Sequence, residues 1–172
     1  MQIGEPISIP DPPDASETES GKEEDKKYSI TIGAHLDSPS DLIGHAFVSV
    51  EYPAGKVVTK GFWPKNGFDL AAKDDRKGVV FGMDGAIYDD TDYLYKTAGL
   101  NAKRKYSINR QQAEAALDVI HSYETNTPQY RLLTNQCAVF AIRVLRATGN
   151  SITAGVPARP SVLYETLSGK SP

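Results

Sequence analysis

Thr134-Asn135-Gln136-Cys137-Ala138-Val139-Phe140-Ala141-Ile142-Arg143-Val144-Leu145-Arg146-Ala147-Thr148-Gly149 carries the only cysteine of the 172-residue chain. Cys137, Phe140, Ala141, Val144 and Leu145 fall at helical spacing, which predicts an amphipathic helix from about Gln136 to Ala147. Asn135 is a suitable N-cap and Gly149 a suitable left-handed stop. Cys137 then sits in the first helical turn, where the partial positive charge of the helix start favours a thiolate. The free N–H groups there, with the side chains of Asn135 and Gln136, are candidate donors to an oxyanion. A cysteine on an apolar stripe is also what a packed core thiol looks like.

A nucleophilic thiol needs a base that is near in space, and three histidines are present. His45 opens the strongest strand signal, His45-Ala46-Phe47-Val48-Ser49-Val50-Glu51-Tyr52, directly after Gly44. His35 is expected in the loop from Gly33 to Gly44, and His121 late in a helix, where it reads as a surface residue. His45 is the preferred base, His35 the second choice. Asp37, Asp41, Glu51, Thr59 and Lys60 are near enough in sequence to orient an imidazole, and none stands out.

Tyr28-Ser29-Ile30-Thr31-Ile32 alternates as a half-buried strand does. A turn at Pro53-Ala54-Gly55-Lys56 leads into a hairpin partner, Val57 to Trp63, stopped by Pro64. Residues 65–100 read as a long excursion with one short strand, around Val79-Val80-Phe81-Gly82, or none. Lys105 to Ile108 is a short strand candidate. A first helix is expected from Arg110 to about Tyr123, capped by Asn109, and a short last one near Ser161 to Leu167. Strands first and helices last predict an α+β domain over residues 28–172.

Residues 1–27 are acidic and rich in proline, and Ser16 to Lys27 contains no hydrophobic residue, so this stretch reads as a solvated leader. It has no positively charged start and no apolar run, hence does not read as a signal peptide. Synthesis in the cytoplasm is expected, with any export by a specialised route. The net charge of −3 and the lack of a basic run argue against a nucleic-acid partner. No apolar stretch approaches the length of a membrane span. One cysteine cannot build a zinc site or an internal disulfide, and no glycine-rich phosphate loop follows a strand, so neither metal nor cofactor is expected. Asp74-Asp75, Asp84-Gly85 and Asp89-Asp90 read as turn formers and solvated acids.

Gly44-His45-Ala46-Phe47-Val48-Ser49-Val50, Gly61-Phe62-Trp63-Pro64 and Tyr130-Arg131-Leu132-Leu133-Thr134-Asn135-Gln136-Cys137, in that order, resemble circularly permuted members of the NlpC/P60 branch of papain-like cysteine hydrolases. The likeness covers roughly residues 28–167. It departs at Gln136, where many relatives have asparagine before the cysteine, and it offers no clear third catalytic residue. It implies a papain-like domain with a small antiparallel sheet against two or three helices and the cysteine at a helix start. It also implies Cys137 and His45 as nucleophile and base, Trp63 and His35 beside the substrate groove, and cleavage of amide bonds, foremost in peptidoglycan stem peptides. Acyl transfer, lipid-ester cleavage and protein deamidation are the alternatives on the same site. A non-catalytic binding module is the remaining one. Domains of this kind also resemble toxin domains of bacterial type VI and Rhs secretion effectors, which implies secretion machinery and an immunity protein as partners. Phe68, Phe81, Tyr88, Tyr93 and Tyr95 could line an apolar groove, or pack the excursion onto the sheet.

Overall fold

Alternation in the first strand extends further than the sequence pattern predicts. Strand β1 runs Tyr28–Leu36, so Ile30, Ile32, Ala34 and Leu36 all point to one face and are all buried. Strand β2 (His45–Glu51) pairs with it antiparallel, setting Ile30 opposite Val50, Ile32 opposite Val48 and Ala34 opposite Ala46. These cross-strand pairs form the floor of the core. Strand β3 (Val57–Pro64) returns as the expected hairpin partner, through a turn in which Gly55 takes a positive φ of 80°. Strands β4 (Gly85–Asp89) and β5 (Leu100–Ile108) complete a five-stranded antiparallel sheet in the order β4-β3-β2-β1-β5. The structure, a computed structural model, describes residues 27–40, 44–67, 73–153, 155 and 158–170. The leader expected over residues 1–27 lies outside these apart from Lys27, as do Asp41 and Phe68.

Three helices cover the core face: α3 (Arg110–Thr125), α4 (Cys137–Ala147) and α5 (Pro160–Leu167). Helix α3 starts at a complete capping box, with Asn109 accepting from Gln112 N and Gln112 accepting from Asn109 N, both at 2.9 Å. The predicted stripe of α4 is buried in full, and Phe140 meets Phe62 and Tyr123 with ring centroids 6.2 and 4.9 Å apart. Fully burying aromatic side chains like these contributes about 1.5–3 kcal/mol each. The molecule is therefore α+β, as the order of strands and helices predicts.

The excursion over residues 65–100 holds more structure than its composition indicates. Val79, Val80 and Phe81 do not form a strand. They end a helix, α1 (Lys73–Phe81), which Gly82 stops by donating its N–H to Gly78 O at 2.7 Å with φ at 124°. A short apolar run carries no periodicity of its own, which is why the two conformations read alike. The strand of this region is β4, and a five-residue helix, α2 (Thr91–Tyr95), follows it. Among the described residues, no helix is long and apolar enough to cross a membrane.

Candidate active site

His45 is the first residue of β2 and Cys137 the first of α4, and the chain brings these two element starts together. The Cys137 thiol is a near neighbour of the His45 ring, close enough to act on its protonation. On the other side of the ring, His45 Nε2 donates to Asp90 Oδ2 at 2.5 Å. With Nε2 taken by the carboxylate, Nδ1 is the nitrogen left for the sulfur. Cys137, His45 and Asp90 are only 2%, 3% and 4% exposed, so the three groups form a row sheltered from bulk water.

Asp90 is the residue that the sequence conceals. Paired acids at a strand end read as solvated turn formers, yet Asp90 is buried and hydrogen-bonded while its neighbour Asp89 remains exposed. Strand β4 delivers it: Lys60 pairs with Asp89, and Asp90 N donates to Thr59 O at 3.1 Å. From there its side chain reaches across Gly61 to the imidazole. The orienting candidates near in sequence have other partners. Asp37 pairs with His35, Glu51 with Lys105 and Ser29, Lys60 with Glu124, and Thr59 donates to Ser49.

Burial alone would hold the His45 ring neutral. The hydrogen bonds to Asp90 and Cys137, and the charges of both, outweigh it, and the pKa stands above its ordinary value of 6.5. A group whose pKa rises on folding stabilises the fold fully below its unfolded value and ceases to do so as pH climbs through the folded one. The urea midpoint is therefore expected to decline as pH rises from 6.5 through that folded value, and the decline to be flatter in His45→Gln. An equal slope in both proteins would place the linkage elsewhere.

The helix start differs from the expected cap. Gln136, not Asn135, is the N-cap: its Oε1 accepts from Ala138 N at 2.7 Å and from the Cys137 thiol at 3.4 Å. Its Nε2 donates to Ala158 O, so the fully buried amide is occupied at both ends. Asn135 is used in the approach loop, donating to Gln129 O at 2.8 Å and accepting from Tyr123 at 3.2 Å. Both side chains are thus engaged in holding the approach loop and the helix start. Tyr130, which local spacing did not single out, is a neighbour of the Cys137 sulfur. Burial first, then the charge and closeness of Cys137, push its phenol upward, so it stays protonated. A two-residue backbone pairing with Met83 holds Tyr130 in place.

His35 is not in a loop. It belongs to β1, directly across from His45, and is 3% exposed, with Nδ1 against Asn101 Oδ1 at 2.8 Å and Nε2 against Asp37 Oδ1 at 3.1 Å. Its side chain is buried. Trp63 lies flat on His45, ring centroids 3.7 Å apart and 20° between planes. Tyr93 from α2 tilts over the same imidazole at 4.8 Å, whereas Phe81, Tyr88 and Tyr95 are exposed. His121 is on the surface, as expected. A cavity of about 410 Å³ opens along edge strand β4, between Lys65, Asp84, Gly85, Glu124, Pro128 and Gln129. It contains none of the Cys137–His45–Asp90 row. Two of its lining residues are neighbours in sequence of residues around the row, Lys65 two positions beyond Trp63 and Gln129 next to Tyr130.

No family model, curated protein or solved structure matches this chain.

Proposed function

We propose that the protein is a cysteine hydrolase of the papain-like kind, with Cys137 as nucleophile, His45 as base and Asp90 as the group that orients the base. The observation that carries this reading is the row thiol–imidazole–carboxylate, built from three separate elements and closed to solvent. Structural histidines are common, but one held between a buried carboxylate and a thiol has the connectivity of nucleophile, base and orienter.

Chemically, His45 Nδ1 takes the thiol proton, and the resulting imidazolium is stabilised through Nε2–H by Asp90. The thiolate adds to a carbonyl carbon. The oxyanion is met by the Cys137 backbone N–H, which has no partner inside the helix, and by the Tyr130 hydroxyl. Nδ1–H then protonates the leaving amine as the C–N bond breaks, leaving a thioester. Water, deprotonated by the same nitrogen, adds to the thioester and expels the thiolate. With Cys137 2% exposed, substrate enters only when its cover parts, and the short helix α2, none of whose residues is buried, lies over His45 through Tyr93.

For substrate, an amide in a peptide, foremost the peptidoglycan stem peptide, is the proposal. The cavity along β4 has Lys65, Asp84 and Glu124 in its lining, charged groups that a peptide's own charges could meet. Delivery as a secreted antibacterial effector neutralised by an immunity protein belongs to the same reading and rests on the resemblance alone. The test incubates the purified protein with peptidoglycan fragments and, separately, with phospholipid vesicles, and measures new amino groups and free fatty acid. Amine release is expected. Fatty acid release without it would replace the amidase by a lipid esterase, and neither product would sink the hydrolase reading on these substrates.

A further inference from the structure

We propose that Trp63 is a positioning residue, whose indole clamps the Asp90 carboxylate and the His45 imidazole in one mutual orientation; this deepens the hydrolase reading and rests on it. The clamp uses both chemical faces of one side chain. The indole Nε1–H is shared between Asp90 Oδ1 at 3.1 Å and Oδ2 at 3.3 Å, fixing the plane of the carboxylate. The ring lies on the imidazole at stacking distance, so His45 cannot turn about its side-chain bonds without displacing it. An indole face is also the best aromatic surface on which to hold a cation, and in the proposed cycle the imidazole becomes one.

The position follows from the sheet. Phe47 on β2 pairs with Gly61 on β3, which places Trp63, two residues on, beside His45, two residues back, on the same face. Asp90 reaches both over Gly61, whose missing side chain leaves the carboxylate its space. The titratable groups facing the imidazole are Asp90 following β4, Cys137 on α4, Tyr93 on α2 and the cross-strand partner His35 on β1. Trp63 carries no titratable group, and it touches both ends of the His45–Asp90 bond.

Because the chain has a single tryptophan, its emission reports this contact directly. Imidazolium in contact with indole quenches its fluorescence, and neutral imidazole does so far less. In a titration of the full chain from pH 5 to 9.5, one sigmoidal rise in emission is expected, and it is expected to vanish in His45→Gln. The same curve in both proteins would overturn the clamp. The complementary variant is Trp63→Phe, which keeps an aromatic ring on His45 and removes the N–H. The rate of Cys137 alkylation by iodoacetamide at pH 7 is expected to fall about tenfold with the circular dichroism spectrum retained. Adding Asp90→Asn should then cost less than it does in the parent protein, as for residues acting through one contact. Alkylation within twofold of the parent would overturn the proposal even if the protein is a hydrolase. A parent protein whose Cys137 resists iodoacetamide would instead count against the hydrolase, and the emission titration, which needs neither thiol reactivity nor the phenylalanine variant, would still decide the clamp.

Discussion

Turnover by Cys137→Ala is expected to fall by about 10⁴–10⁶-fold, to the level left by substrate binding and oxyanion contacts alone. The substitution removes one atom from a site that is already small and apolar on one side, so the cost in stability should be only about 1 kcal/mol. Loss of activity by unfolding is thereby separated from loss of the nucleophile. The partner substitution needs more care. His45→Ala would leave the Asp90 carboxylate, 4% exposed, without its main donor, and stripping one member from a buried pair costs about 3–5 kcal/mol. His45→Gln retains a donor that can reach Asp90 and removes only the base. Its turnover should fall by a similar factor, and the double variant should be no worse than either single one, because nucleophile and base act as a unit. The measurement is amine release from peptidoglycan fragments, alongside urea denaturation of each variant. Retention of more than a tenth of parent turnover by Cys137→Ala or by His45→Gln would end the proposed mechanism.

His45 and Cys137 were legible because each stands at the start of an element with a strong local signal: an alternating strand behind a glycine, an apolar stripe behind a capping side chain. Their meeting was not legible from spacing. Asp90 was hidden for a physical reason. Its burial depends on a pairing of β4 with β3 that closes over a long excursion, and on a glycine 29 positions earlier, so no window around Asp89-Asp90 contains the information. His35 stands in a strand and not in a loop because β1 continues past Ile32 through Gly33 and Ala34, residues with weak strand preference that the sheet nonetheless pairs on both sides. The cap of α4 lies one residue beyond Asn135, where local preference puts it. Asparagine is the better cap in isolation, but Gln136 is buried and uses its longer side chain to cap α4 and hold the segment before α5 together. In each case the tertiary partner, not the local preference, decided the outcome.

Gly61→Ala should disable the site almost as thoroughly as loss of a triad member, although the position touches no substrate. Gly61 sits in the middle of β3 and, unlike Gly55 or Gly82, has no positive φ, so its backbone is one that alanine adopts freely. Nothing conformational calls for glycine there; by unfolded-state entropy alone, alanine would even stabilise the strand. What it lacks is room. A methyl group at this position would overlap the Asp90 carboxylate and come within 2.6 Å of His45 Nε2. The two groups whose hydrogen bond orients the imidazole would have to separate. Losing the orienting carboxylate of such a triad lowers kcat by about 10⁴-fold, and a displaced but present carboxylate should cost about 10²–10⁴-fold. Overpacking adds about 1–3 kcal/mol of destabilisation, and Gly33→Ala supplies the control for it. At Gly33, again without a positive φ, the added methyl would press on the Phe47 ring and not on Asp90 or His45. Gly33→Ala should therefore lose comparable stability while keeping Cys137 alkylation and turnover near parent values, and Gly61→Ala should lose both. Turnover of Gly61→Ala within threefold of the parent would mean that the contact between Asp90 and His45 does not govern the chemistry, and that the imidazole is held well enough by its aromatic neighbours alone.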